Sequence, residues 1–307
     1  MNSQFTISSK SISVIVHPKN AGTISHIGRT QSPESNVLAW YEWNDIKPVP
    51  FEATEGESHV NWLSRYRGGW QFLTPNAGGQ CTHSGRIHPF HGDSSNGPWR
   101  VTESASDKLT MEITCTQSLQ VTRKLSLHAN KPILSIATTI QNITAHRQEI
   151  VLVEHAAFQG SSTGLVSAPP ESHWSMAPGY EEEGVTSLIW REAGRNKPDL
   201  RNPLQRGDKT ERMVYLDKGN EGWVHFTDSG RRVGAKLLWD KDVFPYLWYW
   251  QERNSPTAPF NGRAEMTALE PASCLPGDTL AGASGAKRST FIQPWARYSF
   301  SVEVELD

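Results

Sequence analysis

The strongest constraint on the fold is a run of alternating polar and apolar residues in the first half of the chain. Four consecutive segments are rich in β-branched residues and change side-chain character at nearly every position: WRVTES, KLTMEITCTQS, LQVTRKLSLHA and PILSIATTIQNI. Because successive side chains of a strand point to opposite faces of a sheet, this period of two predicts strands with one buried and one solvated face. The short polar links between the segments predict hairpins, so these strands should form an antiparallel meander.

Similar patterns recur towards both ends of the chain. They predict strands over residues 4–16 and 37–43, and in the segments EIVLVEHAAF, MVYLDK, EGWVHFTD, RVGAKLLWD, VFPYLWYWQER and ARYSFSVEVEL. No apolar repeat of 3.6 residues is sustained anywhere in the sequence, so we expect few or no helices. The sequence therefore predicts an all-β fold of large packed antiparallel sheets, with residues 1–307 forming a single domain.

Composition limits the class of function. The net charge is -2 and the charges are interspersed, which argues against a nucleic-acid surface because such surfaces need clustered positive charge. No apolar run approaches membrane-spanning length, and the N-terminal residues lack the pattern of a signal peptide. Three widely separated cysteines, Cys81, Cys115 and Cys274, favour a reducing compartment. We therefore expect a cytoplasmic protein without nucleic-acid or membrane partners.

The segment from Arg67 to Trp99 has little periodicity and is rich in Gly, His and Arg, which is typical of a long functional loop. Imidazole is a common metal ligand, so His83, His88 and His91, completed by Asp93, could bind a metal. Their spacing matches no strand or helix face, and ordinary loop histidines are the simpler interpretation. We therefore expect no metal site.

His155 and Glu270 are better suited to proton transfer. His155 ends the strand-like segment VLVEH, and Glu270 ends another such run just before Pro271. A carboxylate and an imidazole that face one cavity can move a proton in either direction near neutral pH. A single histidine is more often a hydrogen-bonded core or rim residue, and only the fold can bring these two residues together. The pair is therefore a hypothesis.

Several motifs, taken together, resemble those of the aldose 1-epimerase (galactose mutarotase-like) family, particularly its hexose-6-phosphate epimerase branch. They occur in the family's order between Arg67 and Pro271: RGGWQFLTPNAG, HPFHGDSSNGPWRV, IATTIQNITAHRQEIVLVEHAAF, KTERMVYL, and FPYLWYWQERNSPTAPFNG followed by LEPAS. The resemblance implies a β-supersandwich of two large antiparallel sheets with a sugar cleft on one face. The twelve tryptophans suit such a cleft because sugar rings stack on flat aromatic surfaces, although a single Trp is most often a core residue.

The resemblance also implies mutarotation, the interconversion of the α and β anomers of a sugar through ring opening. Glu270 would be the general base that takes the anomeric hydroxyl proton, and His155 the general acid that protonates the ring oxygen. The residues implied to bind or enclose the substrate are Arg67, His91, Trp99 and Glu211. The implied partner is a small-molecule sugar, no metal or organic cofactor is required, and a monomer or homodimer is expected.

Two departures from the family pattern concern the substrate. Glu211 stands where the phosphosugar branch has an aspartate, and the loop after His91 is GDSSNG instead of the family's Gly-Phe-Ala-Arg. Arginine matches phosphate geometry, so an anionic or phosphorylated hexose stays open, although scattered solvated charges are the simpler interpretation. The arginines of the long polar region are Arg191, Arg195, Arg201, Arg206 and Arg212. The alternative function is a non-catalytic carbohydrate-binding protein on the same fold.

Overall fold

The computed structural model describes residues 4–43, 45–51, 57–170, 172–181, 188–190, 200–201, 207–258 and 260–307. Strands dominate this part of the chain. They are β1 (Phe5–Ser8), β2 (Ile12–His17), β3 (Thr23–Arg29), β4 (Gly69–Leu73), β5 (Cys81–His83), β6 (Arg86–His88), β7 (Arg100–Ser104), β8 (Lys108–Cys115), β9 (Leu119–Leu127), β10 (Ile133–Asn142), β11 (Gln148–Ile150), β12 (Val153–Gln159), β13 (Gly164–Ser167), β14 (His173–Met176), β15 (Leu188–Ile189), β16 (Thr210–Leu216), β17 (Trp223–Asp228), β18 (Val233–Trp239), β19 (Tyr246–Arg253), β20 (Glu265–Ala272), β21 (Thr290–Ile292) and β22 (Arg297–Leu306). The α-helices among the described residues are α1 (Ser58–Arg65) and α2 (Leu280–Gly285).

Two large antiparallel sheets carry most of the strands. The first has ten strands in the order β1-β2-β3-β4-β12-β20-β19-β16-β14-β15, and the second has eight in the order β13-β17-β18-β22-β10-β9-β8-β7. One apolar core contains buried side chains of both sheets, such as Trp70 from the first and Val121 from the second. The predicted all-β architecture with few helices is therefore confirmed.

The predicted meander forms one end of the second sheet, where β7, β8, β9 and β10 pair in succession. Buried and more accessible positions alternate along the whole of β9. The last strand, β22, pairs with β10 on one side and with β18 on the other. It therefore joins the meander to the rest of the sheet. Local alternation thus predicts this sheet well, because one face of it packs on the core.

Three predicted strands differ in detail from the strands of the structure. Residues 4–16 form two strands, β1 and β2, because the chain turns back at Ser9, whose backbone N–H donates to the Ile12 carbonyl. Residues 37–43 form no named strand and pair only through isolated bridges, one of them between Trp40 and Gly68. The segment EIVLVEHAAF divides between β11 and β12, which lie in different sheets.

The segment Arg67–Trp99 is irregular over most of its length, as expected of a loop, but it also contains strands that its lack of periodicity does not indicate. It contains β4, which lies between β3 and β12 in the ten-stranded sheet, and all five residues of this strand are buried. A strand buried on both faces shows no polar–apolar alternation, so a search for period two overlooks it. The second half of the segment contains the small hairpin of β5 and β6.

A buried ion pair connects the two sheets. Arg123 on β9 donates through Nη1 to Glu154 Oε1 at 2.8 Å and through Nη2 to Oε2 at 3.0 Å. Trp70 Nε1 donates to the same Glu154 Oε2 at 2.7 Å. Because side chains alternate along a strand, a Glu154 that points into the core directs the next residue, His155, to the opposite face of the sheet. That outer face carries the candidate site.

Helices α1 and α2 have 8 and 6 residues. No helix in the described ranges has the length and apolar character needed to cross a membrane.

Candidate active site

The structure brings His155 and Glu270 side by side. They lie on neighbouring strands, β12 and β20, whose register pairs Val153 with Ala272 and Ala156 with Leu269. His155 Nε2 is 3.8 Å from Glu270 Oε2, and the two residues are only 6% and 2% exposed. The pair therefore has the proximity that joint proton transfer requires.

A cavity of about 340 Å³ opens above this pair. Its wall is largely aromatic and includes Trp62, Tyr66, Phe90, Trp248, Trp250 and Phe260, together with His91, His155 and three glutamates. A volume of this order, with flat apolar walls and a few convergent polar groups, suits a small ligand with apolar faces and polar edges. A sugar ring has this combination of surfaces.

Burial sets the protonation of the pair. It raises the pKa of the Glu270 carboxyl to about 8 and lowers the pKa of the His155 imidazole to about 4, since both charged forms are cut off from water. Between these values the two residues together hold one proton. A concerted transfer needs one group that can give a proton and one that can take it, so the pair has the required proton count near neutral pH.

His91 lies next to His155, with 5.7 Å between the ring centroids. Its Nδ1 is hydrogen-bonded to the Ala77 carbonyl, and a carbonyl only accepts, so Nδ1 carries the proton. Burial, and then the neighbouring His155, lower the His91 pKa to about 3, which keeps the ring neutral. A neutral ring in this tautomer leaves Nε2 as a hydrogen-bond acceptor. The predicted substrate contact of His91 stays a prediction, and His91 lines the cavity.

The backbone at His91 is unusual. Its φ is +61°, in the left-handed region that few residues other than glycine adopt. The next residue, Gly92, also has a positive φ, and a Cβ there would lie 2.4 Å from the Asn76 carbonyl oxygen. Glycine is therefore required in this turn, which carries the chain past His91.

Glu211 also lines the cavity. Its Oε2 accepts hydrogen bonds from Trp250 Nε1 at 3.2 Å and Tyr180 Oη at 3.4 Å. These donors orient the carboxylate without neutralising it. Its predicted contact with substrate is compatible with this position and stays a prediction.

Arg67 and Trp99 lie away from the cavity. The Arg67 guanidinium donates to the backbone carbonyls of Ser64, Tyr66 and Ile46, so it holds the chain around α1 in place. Trp99 is buried in the core and donates through Nε1 to the Ser94 carbonyl at 2.8 Å. Neither is among the described residues that line the cavity.

Helix α1 and the residue that caps its C-terminal end supply site residues that periodicity overlooked. Trp62 and Tyr66 stack on each other with ring centroids 4.5 Å apart. Tyr66 meets the His155 ring edge-on at 5.5 Å, and Trp62 meets His91 at 4.6 Å. Trp62 lies in the helix and Tyr66 caps its end, where its N–H donates to the Trp62 carbonyl. A spacing of four residues between two aromatic side chains is the signal that could have identified them.

The histidines considered as metal ligands do not converge. His83 Nε2 lies 3.4 Å from Glu149 Oε2, and His88 is buried on the next strand, whereas His91 faces His155. In the described ranges no group of three or more His, Cys, Asp or Glu side chains is arranged to hold a metal ion.

Of the five arginines in the long polar region, two lie among the described residues. Arg191, Arg195 and Arg206 lie outside the described residues. Arg212 is buried and donates through Nη2 to Gln251 Oε1 at 2.6 Å, and neither it nor Arg201 is among the described residues lining the cavity.

Solved structures with the same fold span nearly the whole chain. A protein from Synechocystis sp. PCC 6803 is 15% identical over 99% of this chain and 95% of its own, with a TM-score of 0.69. A galactose mutarotase related enzyme from Lactobacillus acidophilus is 12% identical over 99% and 97%, with a TM-score of 0.68. A galactose mutarotase-like protein from Lactobacillus casei ATCC 334 is 15% identical over 99% and 100%, with a TM-score of 0.67. The galactose mutarotase-like fold expected from the motifs is therefore confirmed.

Sequence comparison places the chain in a family. No curated protein sequence matches it significantly. The family model described as Domain of unknown function (DUF4432) matches residues 26–306, which include both strands of the central pair and all the glutamates of the cavity. The chain belongs to the DUF4432 family and has the galactose mutarotase-like fold.

Proposed function

We propose that this protein is an aldose mutarotase, an isomerase that interconverts the α and β anomers of a sugar. The observation that carries the proposal is the buried pair of His155 and Glu270, with Nε2 and Oε2 3.8 Å apart under a cavity with aromatic walls. Mutarotation needs one acid, one base and a positioned ring, and the cavity supplies groups for each role.

In the proposed reaction, the Glu270 carboxylate takes the proton of the anomeric hydroxyl while His155 gives a proton to the ring oxygen. The C1–O5 bond opens, the C1–C2 bond rotates, and the reverse transfers close the ring on the other face. The pKa values place the pair's single proton on Glu270 at rest, so the reacting form, with the proton on His155 and Glu270 ionised, is the minor one. The proton sits on Glu270 again once the ring is open. Return of both protons restores the starting state.

The setting proposed for this activity is the cytoplasm, in a monomer or homodimer that acts on a small sugar with residues 1–307 as one domain. Cys81, Cys115 and Cys274 are all free thiols, which supports a reducing compartment. His91 and Glu211 are proposed to hydrogen-bond the sugar, because both line the cavity beside the pair.

A panel of aldoses tests the activity. The protein is expected to accelerate equilibration of fresh α-anomers of neutral, amino, acidic and phosphorylated hexoses to different degrees, measured by polarimetry or NMR exchange. Boiled protein serves as the control for buffer catalysis. If no sugar in the panel equilibrates faster than in buffer, the enzyme proposal fails, and sugar binding without turnover would then support the carbohydrate-binding alternative.

The pH dependence of kcat/KM on a neutral aldose is expected to be bell-shaped. Below about pH 4 both His155 and Glu270 are protonated and no base remains, whereas above about pH 8 neither carries the proton and no acid remains. Since kcat/KM reports the free enzyme, the two limbs should fall near these values. A profile that stays flat from pH 5 to well beyond about 9 would contradict the one-proton pair.

A further inference from the structure

Two carboxylates face each other on one wall of the cavity. Glu211 on β16 is the register partner of Glu252 on β19, and both residues line the cavity. Directly opposed residues of antiparallel strands project from the same face, with Cβ atoms about 4.5–5.5 Å apart. Like charges at such positions repel each other and destabilise the sheet. An acidic pair in this place therefore needs a compensating partner.

Among the described residues, the groups that donate hydrogen bonds to these carboxylates are neutral. Glu211 accepts hydrogen bonds from Tyr180 Oη and Trp250 Nε1. Glu252, which is only 1% exposed, accepts from Ser255, through the backbone N–H at 2.6 Å and the hydroxyl at 2.8 Å. Neither glutamate forms an ion pair within the described part of the chain. Burial raises the pKa of Glu252 most, and the charge of Glu211 raises it further, whereas the hydrogen bonds from Ser255 and the charge of Arg253 oppose the shift.

The adjacent cation does not enter the cavity. Arg253 donates to the backbone carbonyls of Glu252 and Met266 and to Thr267 Oγ1 at 2.7 Å. In the described wall there is no lysine or arginine, so the ionisable groups that face a ligand include three glutamates and two histidines. The wall is thus built for a ligand that brings no negative charge.

A second observation concerns two buried polar atoms of the cavity wall. Tyr66, only 2% exposed, lines the same cavity, and neither its hydroxyl nor Nδ1 of His155 has a hydrogen-bond partner among the described residues. Buried polar atoms without partners cost stability, and native structures satisfy most of them. A ligand rich in hydroxyl groups would supply the missing partners.

We propose that the preferred sugar carries a protonated amino group, which binds between the carboxylates of Glu211 and Glu252. This inference rests on the proposed function and names its substrate class, an amino-substituted aldose. An ammonium group offers three donors to the two carboxylates and relieves their repulsion. A phosphate or carboxylate group at the same place would be repelled.

Binding measurements separate this proposal from the reaction itself. Dissociation constants for glucosamine, N-acetylglucosamine, glucose and glucose 6-phosphate are measured by calorimetry slightly below neutral pH, where the free amine is protonated. Glucosamine should bind about tenfold or more tightly than its N-acetyl derivative, and glucose 6-phosphate should bind most weakly. Galactosamine and N-acetylgalactosamine repeat the comparison for a second ring configuration.

Charge-neutral variants localise the effect. Glu211→Gln should reduce the preference for the amine to about threefold or less, and Glu252→Gln provides the same test if the first variant fails to fold. Glu221→Gln removes the same charge from an exposed position outside the cavity and should keep the full preference.

Equal affinity for amino, N-acetyl and phosphorylated sugars would overturn the proposal, as would an unchanged preference in both cavity variants or no binding of any sugar. Anomer exchange of glucose without amine preference leaves the mutarotase function standing and removes this inference. Amine-selective binding without acceleration of anomer exchange would keep the amine site and remove the mutarotase function.

Discussion

Glu270→Gln should lower kcat/KM for anomer exchange by about 10²- to 10⁴-fold, the range expected when a positioned proton-transfer group is lost. The amide has nearly the same shape as the carboxyl group but cannot take a proton from the anomeric hydroxyl. His155→Ala removes the other half of the pair and should cause a loss of similar size. The measurement is NMR exchange on the best sugar of the panel.

Matched variants control for charge and fold. Glu265→Gln changes the same residue type on the same strand but outside the described cavity wall, and His128→Ala removes an exposed histidine. Both should keep near wild-type rates. Full activity in Glu270→Gln or in His155→Ala would remove that residue from its proposed role.

The stability of Glu270→Gln distinguishes a catalytic effect from damage to the fold. The pKa of Glu270 is raised from 4.5 to about 8 by burial, so the stability it contributes below pH 4.5 is lost as the pH rises through about 8. Glutamine never ionises and avoids this loss. The variant should therefore be at least as stable as the wild type near pH 9 in thermal unfolding, while it is nearly inactive. A much lower Tm at that pH would indicate misfolding.

Arg123→Met should lower the free energy of unfolding by about 3–5 kcal/mol, because it leaves the Glu154 carboxylate buried without its charge partner. Arg123 and Glu154 are 3% and 0% exposed and join the two sheets on the core side of the strand that carries His155. Urea unfolding at constant m-value measures the loss.

The double variant Arg123→Met with Glu154→Gln isolates the charge effect. The amide oxygen introduced by Glu154→Gln would still accept from Trp70 Nε1 and would bury no net charge, so most of the lost stability should return. If the double variant is no more stable than Arg123→Met, the loss comes from packing around Phe72 and not from the uncompensated carboxylate.

Sequence motifs predicted only part of the cavity. Motif resemblance drew attention to His155 and Glu270, but their proximity depends on the pairing of β12 with β20, two strands from distant parts of the chain. The same resemblance assigned substrate contacts to Arg67 and Trp99, neither of which is among the described residues that line the cavity. The order of motifs along a chain does not determine which side of a wall a side chain faces.

The alternation of polar and apolar residues by itself determined the all-β class, the meander of the second sheet and the last strand, β22, because side-chain direction in a half-buried strand is a local property. Strand β4 escaped this signal because both of its faces are buried. Only the tertiary structure decided which distant residues share the cavity. It alone sets the pKa of Glu270 and places Glu211 opposite Glu252, because burial and cross-strand pairing arise from contacts between segments far apart in sequence.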